Sequence, residues 1–177
     1  MAFRIRKTAA EDIAWLEDVE RSADSAFAAI PALAWVATDG VQPQALHYHL
    51  LATGYCAVAV DDADTPVGFI NGEYIADELH ILGVAVARDY QGNGLGKMLM
   101  TGAIGDARDR HLAALTLTTF RNVPWNRPFY ERFGFRVIAD DALSVHLARL
   151  LEEEAAHGFC RADRCAMRLT LSLPGGA

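Results

Sequence analysis

The residues with the clearest capacity for chemistry lie in one run, Val84 to Lys97, which reads VAVARDYQGNGLGK. It opens as an apolar strand end at Val84, Ala85 and Val86 and crosses a polar turn at Arg88 to Gln91. It then enters Gly92-Asn93-Gly94-Leu95-Gly96-Lys97, ahead of residues with helical spacing. A strand, a glycine turn and a helix start make an anion site. The first N–H groups of a helix have no intrahelical partner, and the helix dipole favours negative charge there. Glycine lets the backbone approach a ligand closely and takes positive φ without strain. A pyrophosphate is the expected anion, and three patterns compete for it. The dinucleotide fingerprint G-x-G-x-x-G fits Gly92 and Gly94 but meets Lys97 where its third glycine belongs. The triphosphate loop G-x-x-x-x-G-K-S/T fits Gly96 and Lys97. Gln91 replaces its first glycine, however, and Met98 offers no hydroxyl for magnesium. The pattern Q/R-x-x-G-x-G/A is met in full by Gln91, Gly94 and Gly96.

With that third pattern the sequence resembles the GNAT superfamily of N-acetyltransferases, whose signature loop binds the pyrophosphate of acetyl-coenzyme A. A second landmark is Phe129-Tyr130-Glu131-Arg132-Phe133-Gly134-Phe135, similar to the family's tyrosine followed by a helix end and Gly-Phe. The start (FRIRKTAAEDI) and the end (RCAMRLTL) look like the family's first and last strands. The resemblance is specific from about Glu78 to Phe135 and covers most of the chain. It implies one GNAT-like domain over residues 1–177. It also implies an N-acetyltransferase that moves an acetyl group from acetyl-coenzyme A to a primary amine of a small molecule or peptide, by direct attack in a ternary complex. The pyrophosphate would lie on Gln91, Gly92, Asn93, Gly94, Leu95, Gly96 and Lys97. Backbone groups at Val84, Ala85 and Val86 would take the pantetheine arm and polarise the thioester carbonyl. Tyr130 would donate to the departing sulfur. Asn126 or Asn122, with Phe129, would flank the pantetheine. No metal is implied. Relatives are often dimers, so a homodimer is a further expectation.

Transfer to an amine also needs a base, because an alkyl amine with a pKa of about 10 arrives protonated. Strand parity puts Glu78, His80, Leu82, Val84 and Val86 on one face. His80 ranks first as proton acceptor, since an unperturbed imidazole titrates at about 6.5. Glu78, one pleat away, ranks second. On the acceptor side, the first two helices and their connection carry Trp15, Phe27, Trp35, His47, Tyr48 and His49. Asp39, Glu73 and Asp77 supply charge that would attract a cationic amine. Two other functions use the same residues. One is a catalytically silent acyl-coenzyme A sensor, and the other is a transferase for a longer acyl chain.

These groups need a frame, and the patterning supplies one. Phe3 to Lys7 alternates as a strand. Thr8 and Glu11 suggest a capping box for an amphipathic helix through Ile13, Leu16 and Val19 to Ile30, before Pro31. An irregular stretch runs to Pro43, and a helix over Gln44 to Thr53, with Leu46 and Leu50 on one face, ends at Gly54. Tyr55 to Val60 and Val67 to Ile75 read as an antiparallel hairpin, and Leu79 to Val86 as the strand feeding the glycine turn. Behind the turn, Leu95, Met98, Leu99, Ala103, Ile104 and Ala107 mark the buried stripe of a helix. Ala114 to Phe120 follows as a strand, making a βαβ unit with a parallel pair. Asn122 is the expected cap of a short helix before Gly134, with Pro128 moving its regular part toward Asn126. Phe135 to Ile138, a helix over Leu143 to Ala156, and a strand over Arg164 to Leu173 precede the tail from Pro174. The expected class is α+β, a mixed and mostly antiparallel sheet with a central parallel pair and helices on both faces.

Composition agrees with these expectations. The net charge of -7 without a basic run argues against nucleic acid as a partner. The three cysteines, Cys56, Cys160 and Cys165, are odd in number and unclustered, so they read as free thiols of a reducing compartment. No long apolar run opens the chain, so neither a signal peptide nor a membrane span is expected, and the cytoplasm is the expected location.

Overall fold

The computed structural model describes residues 2–172. Its strands are β1 (Arg4–Lys7), β2 (Tyr55–Val60), β3 (Pro66–Ile75), β4 (Glu78–Val86), β5 (Ala114–Phe120), β6 (Arg136–Val137) and β7 (Arg164–Thr170). They hydrogen-bond in the order β1-β2-β3-β4-β5-β7-β6. The ladders β1–β2, β2–β3, β5–β7 and β6–β7 are antiparallel, and β4–β5 is parallel. This is the mixed α+β sheet the sequence predicts. Leu173 and the tail lie outside the described residues. Among the described residues no helix is long and apolar enough to cross a membrane. By its internal contacts the chain divides into two compact units. One is Met1–Tyr74 with Ile81–Asp106, and the other is Ile75–His80 with Ala107–Ala177.

The first unit holds α1 (Ile13–Asp24), α2 (Gln44–Thr53) and most of α3 (Leu95–Asp109). Ile13, Leu16 and Val19 recur at three-residue steps and bury against Val58, Val60, Phe69 and Ala85. The start of α1 corrects the expected Thr8–Glu11 box. A 3-10 turn over Ala10–Asp12 comes first, and the Asp12 carboxylate accepts the Ala9 N–H at 2.7 Å. Arg6 grips the same carboxylate with two bonds, of 2.6 and 2.9 Å. Asp12 prevails over Glu11 because it is buried where a strand arginine can reach it. The α-helix also stops at Asp24, short of the expected Ile30, and continues as a 3-10 turn over Ser25–Ala29. Ser25 donates its hydroxyl to the Ser22 carbonyl at 2.6 Å, and such local bonds compete with the helical ladder. On α2 the buried pair is His47 and Leu50 instead of Leu46 and Leu50. On α3 the stripe is buried as expected at Leu95, Leu99, Ala103, Ile104 and Ala107, with one exchange. Met100 is fully buried, whereas Met98 is 40% exposed.

In the second unit β5 pairs with β7 along its whole length, from Ala114 opposite Thr170 to Phe120 opposite Arg164. The parallel ladder is short, running from Glu78 opposite Ala114 to His80 opposite Thr116. Helix α4 (Arg127–Glu131) has Asn126 as its N-cap residue, so Asn122 is not the cap. Pro128 explains the late start, because proline fits the first helical turn, where no N–H is needed. Helix α5 (Val145–His157) is capped by Ser144, whose hydroxyl accepts the Leu147 N–H at 3.2 Å, and it packs Leu147 and Leu151 on Ala166. Three polar groups cross this core together. Glu154 accepts the Thr118 hydroxyl at 2.5 Å and pairs with Arg164 at 2.9 Å. The Arg164 guanidinium lies over the Phe120 ring, 4.5 Å from its centroid.

His80 is only 2% exposed, with Nδ1 2.9 Å from the Thr116 hydroxyl and its ring edge-on to His146 at 5.0 Å. Burial first, and then His146, hold its pKa down from 6.5 to about 4. The native state therefore binds fewer protons here than the unfolded chain between those values. The stability this group contributes is complete above pH 6.5 and is lost as pH falls toward 4, by up to about 3 kcal/mol. We expect His80→Gln to flatten the fall of the urea midpoint across that window, and an unchanged fall would count against this assignment. We also expect Asp12→Ala to lower unfolding free energy by about 1–3 kcal/mol, because it leaves the Ala9 N–H unpaired and Arg6 with Asp64 as its remaining carboxylate. Denaturant titration at neutral pH measures it.

Candidate active site

The glycine turn belongs to the first unit. Neighbouring elements fix its approach: the Ser22 hydroxyl on α1 accepts the Arg88 N–H at 3.0 Å, and the Phe3 ring sits edge-on to Tyr90 at 6.1 Å. Gln91 folds its side chain back, donating from Nε2 to the Val86 carbonyl at 3.0 Å. Asn93 does likewise, donating to the Tyr90 carbonyl at 2.9 Å. These two amides therefore shape the turn. Gly92 and Gly94 take φ of +81° and +77°, and no atom lies within 4 Å of where a Cβ would stand on either.

The result is a row of available donors. The Gln91 N–H reaches the Arg88 carbonyl at 3.3 Å, and the Met98 N–H reaches the Gly94 carbonyl at 3.0 Å. Between them, the amides of Gly92 to Lys97 have no backbone partner among the described residues. Leu95 and Leu99 are fully buried, which fixes the helix end beneath these amides. The residues that would hold a pyrophosphate are thus exposed backbone on a rigid base, and the position fits a di-anion. Val84, Ala85 and Val86 lead into the turn and lie outside the β4–β5 ladder.

The second unit carries Tyr130, Phe129, Asn126, His80 and Glu78. Tyr130 is half-buried, packed edge-on to Phe129 at 5.1 Å and to Phe135 at 5.9 Å. Its hydroxyl has no hydrogen-bond partner among the described residues, and burial pushes its pKa up to about 12. It is therefore a phenol that holds its proton at neutral pH. Phe129 also meets Phe133 at 5.2 Å, so it belongs to an aromatic row that sets the Tyr130 ring. The Asn126 side-chain oxygen is buried and unpartnered. His80 faces Thr116 and His146, as described above, and Glu78 is ion-paired with Arg168.

Three polar groups near α1 and α2, namely Glu20, Asp24 and Asn71, escaped the sequence reading. Glu20 and Asp24, one turn apart on α1, are half-buried carboxylates. Asn71 on β3 and His47 on α2 are buried with their side-chain nitrogens 3.2 Å apart. A lone amide inside the apolar run of β3 was the available signal. Glu20 following the buried Leu16 and Val19 was another. Asp39 acts on Asp24 here, whereas Glu73 lies on β3 and Asp77 in the turn after it.

Solved structures share this architecture at low sequence identity. The ribosomal-protein-S18-alanine N-acetyltransferase from Escherichia coli is 17% identical, with a TM-score of 0.70 over 98% of this chain and 97% of that one. The PaiA N-acetyltransferase from Thermoplasma acidophilum, solved with coenzyme A, is 19% identical, with a TM-score of 0.71 over 97% and 100%. An acetyltransferase of the GNAT family from Staphylococcus aureus Mu50 is 16% identical, with a TM-score of 0.71 over 97% and 100%. Residues 13–135, from the first turn of α1 through the glycine turn to Phe135, match the model of the acetyltransferase (GNAT) family, and the chain belongs to that family.

Proposed function

We propose that this protein transfers an acetyl group from acetyl-coenzyme A to a primary amine of a small molecule or peptide, by direct attack. The observation that carries the reading is the row of partnerless amides from Gly92 to Lys97 at the head of α3. Acetyl-coenzyme A, when bound, supplies an activated thioester and a pyrophosphate by which it is held. The amides of the turn bind that pyrophosphate, aided by the helix dipole, with Lys97 as a nearby cation. Backbone groups of Val84, Ala85 and Val86 take the pantetheine. The buried Asn126 oxygen, lacking a donor of its own, suits an N–H of the pantetheine amides. Phe129 holds the Tyr130 ring from one side.

The amine must shed a proton before it attacks. Its nitrogen then bonds the thioester carbon, and the carbon–sulfur bond breaks. Tyr130 donates its hydroxyl proton toward the departing thiolate. The second amine proton restores the phenol through water, so the products are an amide and a thiol. Burial suits Tyr130 to this role, because a pKa of about 12 keeps the proton in place until sulfur charge develops. His80 and Glu78 are the proposed acceptors of the first amine proton. His80 is neutral at pH 7 because burial holds it near 4, so it takes up a proton only in passing. Glu78 works beside the cation of Arg168.

Gly94→Glu puts a carboxylate where the pyrophosphate is held and a side chain on a backbone at φ +77°. Coenzyme A affinity, read by calorimetry, should fall at least about 100-fold while circular dichroism stays unchanged; unaltered affinity would sink the loop assignment. Tyr130→Phe should lower kcat by about 100-fold or more with coenzyme affinity retained. A panel of amines, assayed by thiol release, tests the activity itself. Tight acetyl-coenzyme A binding with no turnover on any amine would make the chain a sensor instead.

A further inference from the structure

The stretch between α1 and α2 is fastened to the core through Gln42. Its backbone N–H donates to the Glu20 carboxylate on α1 at 2.8 Å. Its side-chain Oε1 accepts from Asn71 Nδ2 on β3 at 2.6 Å. Asn71 is 1% exposed, and the same nitrogen lies 3.2 Å from His47 Nδ1 on α2. Burial lowers the pKa of His47 from 6.5, so its ring is neutral at pH 7 and Nδ1 accepts. Both hydrogens of the Asn71 amide are then spent. Gln42 is held at the root of its side chain and again at the tip.

The other atom of that amide is turned onto β4. Gly83 has no Cβ, and Gln42 Nε2 takes up the room, 2.8 Å from where a Cβ would stand. Among the described residues Nε2 has no hydrogen-bond partner. Asn71 Oδ1 stands 3.2 Å from the same point and is buried without a partner among the described residues. A donor and an acceptor thus border one spot without closing on each other. A buried oxygen left open is costly, yet the fold keeps Nε2 over the strand and does not spend it on that oxygen. Gly83, like its neighbour Val84, lies outside the β4–β5 ladder. In the proposed reaction the backbone from Val84 onward takes the pantetheine arm, which ends in the thioester.

From this placement we infer that Gln42 determines acceptor specificity, its side-chain amide donating to an oxygen that the acceptor carries close to its reacting nitrogen. The inference rests on the proposed transfer to an amine and names the acceptor's class: a primary amine with a hydroxyl, ether or carbonyl oxygen a few bonds from nitrogen. Position sets that spacing. The amide lies against the residue next to Val84, so an oxygen that meets it is close to the thioester and to the nitrogen that attacks there. A methylene in place of the oxygen leaves the donor facing carbon, and a site built to donate a hydrogen bond discriminates against such an analogue. Gly83 is part of the device, because any side chain there would occupy the place of the amide.

The test uses two amines of one shape, 2-methoxyethylamine and n-butylamine, which differ by an ether oxygen in place of a methylene. Each is titrated calorimetrically into the full chain loaded with coenzyme A. The readout is the ratio of the two affinities, because comparing ratios between variants cancels the different basicities of the amines. Gln42→Leu keeps the bulk and removes the donor. It should shift the ratio toward n-butylamine by at least about fivefold, with coenzyme A affinity unchanged. Gly83→Ala keeps the donor and displaces it, and it decides the matter should Gln42→Leu fail to fold; the same shift is expected. An unchanged ratio in the deciding variant overturns the inference, as does an equal weakening of both amines. No measurable binding of either amine by the wild type overturns it too. Thiol release, followed in parallel, separates this contact from the transfer reaction. A shifted ratio without turnover upholds the contact and removes the transferase, whereas turnover with an unshifted ratio does the reverse.

Discussion

A backbone N–H that the chain itself does not satisfy must be met from outside, and this molecule holds several such groups in a row. From Gly92 to Lys97 the amides have no backbone hydrogen-bond partner among the described residues. The surrounding structure keeps them so. Gln91 and Asn93 turn their side chains back onto the Val86 and Tyr90 carbonyls, which fixes the loop without consuming its donors. Gly92 and Gly94 take the positive φ that the turn requires. The buried stripe of α3 then gives the row a firm footing, so the binding geometry exists before any ligand arrives, and little ordering remains for the ligand to impose.

Elsewhere the chain handles buried polarity in two ways. Some groups are closed internally. Asp12 takes Arg6 and a backbone N–H, and Glu154 takes Thr118 and Arg164. Breaking these costs stability. Other groups are buried with no partner among the described residues: the Asn71 and Asn126 oxygens. Buried polar atoms are nearly always paired, so open ones mark places where the molecule is incomplete alone.

What the sequence made legible followed from periodicity and from glycine. The strands Tyr55–Val60 and Ala114–Phe120 and the helix Gln44–Thr53 carry the bounds that their patterns and flanking residues predict. The parallel pair followed from order alone. Several of the misses come from side chains whose partners lie far along the chain. Nothing local favours Asp12 over Glu11 as a cap, because the deciding group is Arg6 on the first strand. Met98 and Met100 are alike in character, and only packing chooses between them. His80 reads as a titrating group until Thr116 and His146 close around it.

The contact between Phe3 and Tyr90 joins the beginning of the chain to the turn before Gly92. An edge-on pair of this kind contributes about 0.5–1.5 kcal/mol beyond its buried area, and here that increment braces a loop instead of a core. Phe3, just ahead of β1, is therefore a remote strut of the glycine turn. A change at the chain's first residues reaches the turn through this ring pair, and so bears on how firmly the turn is held in place.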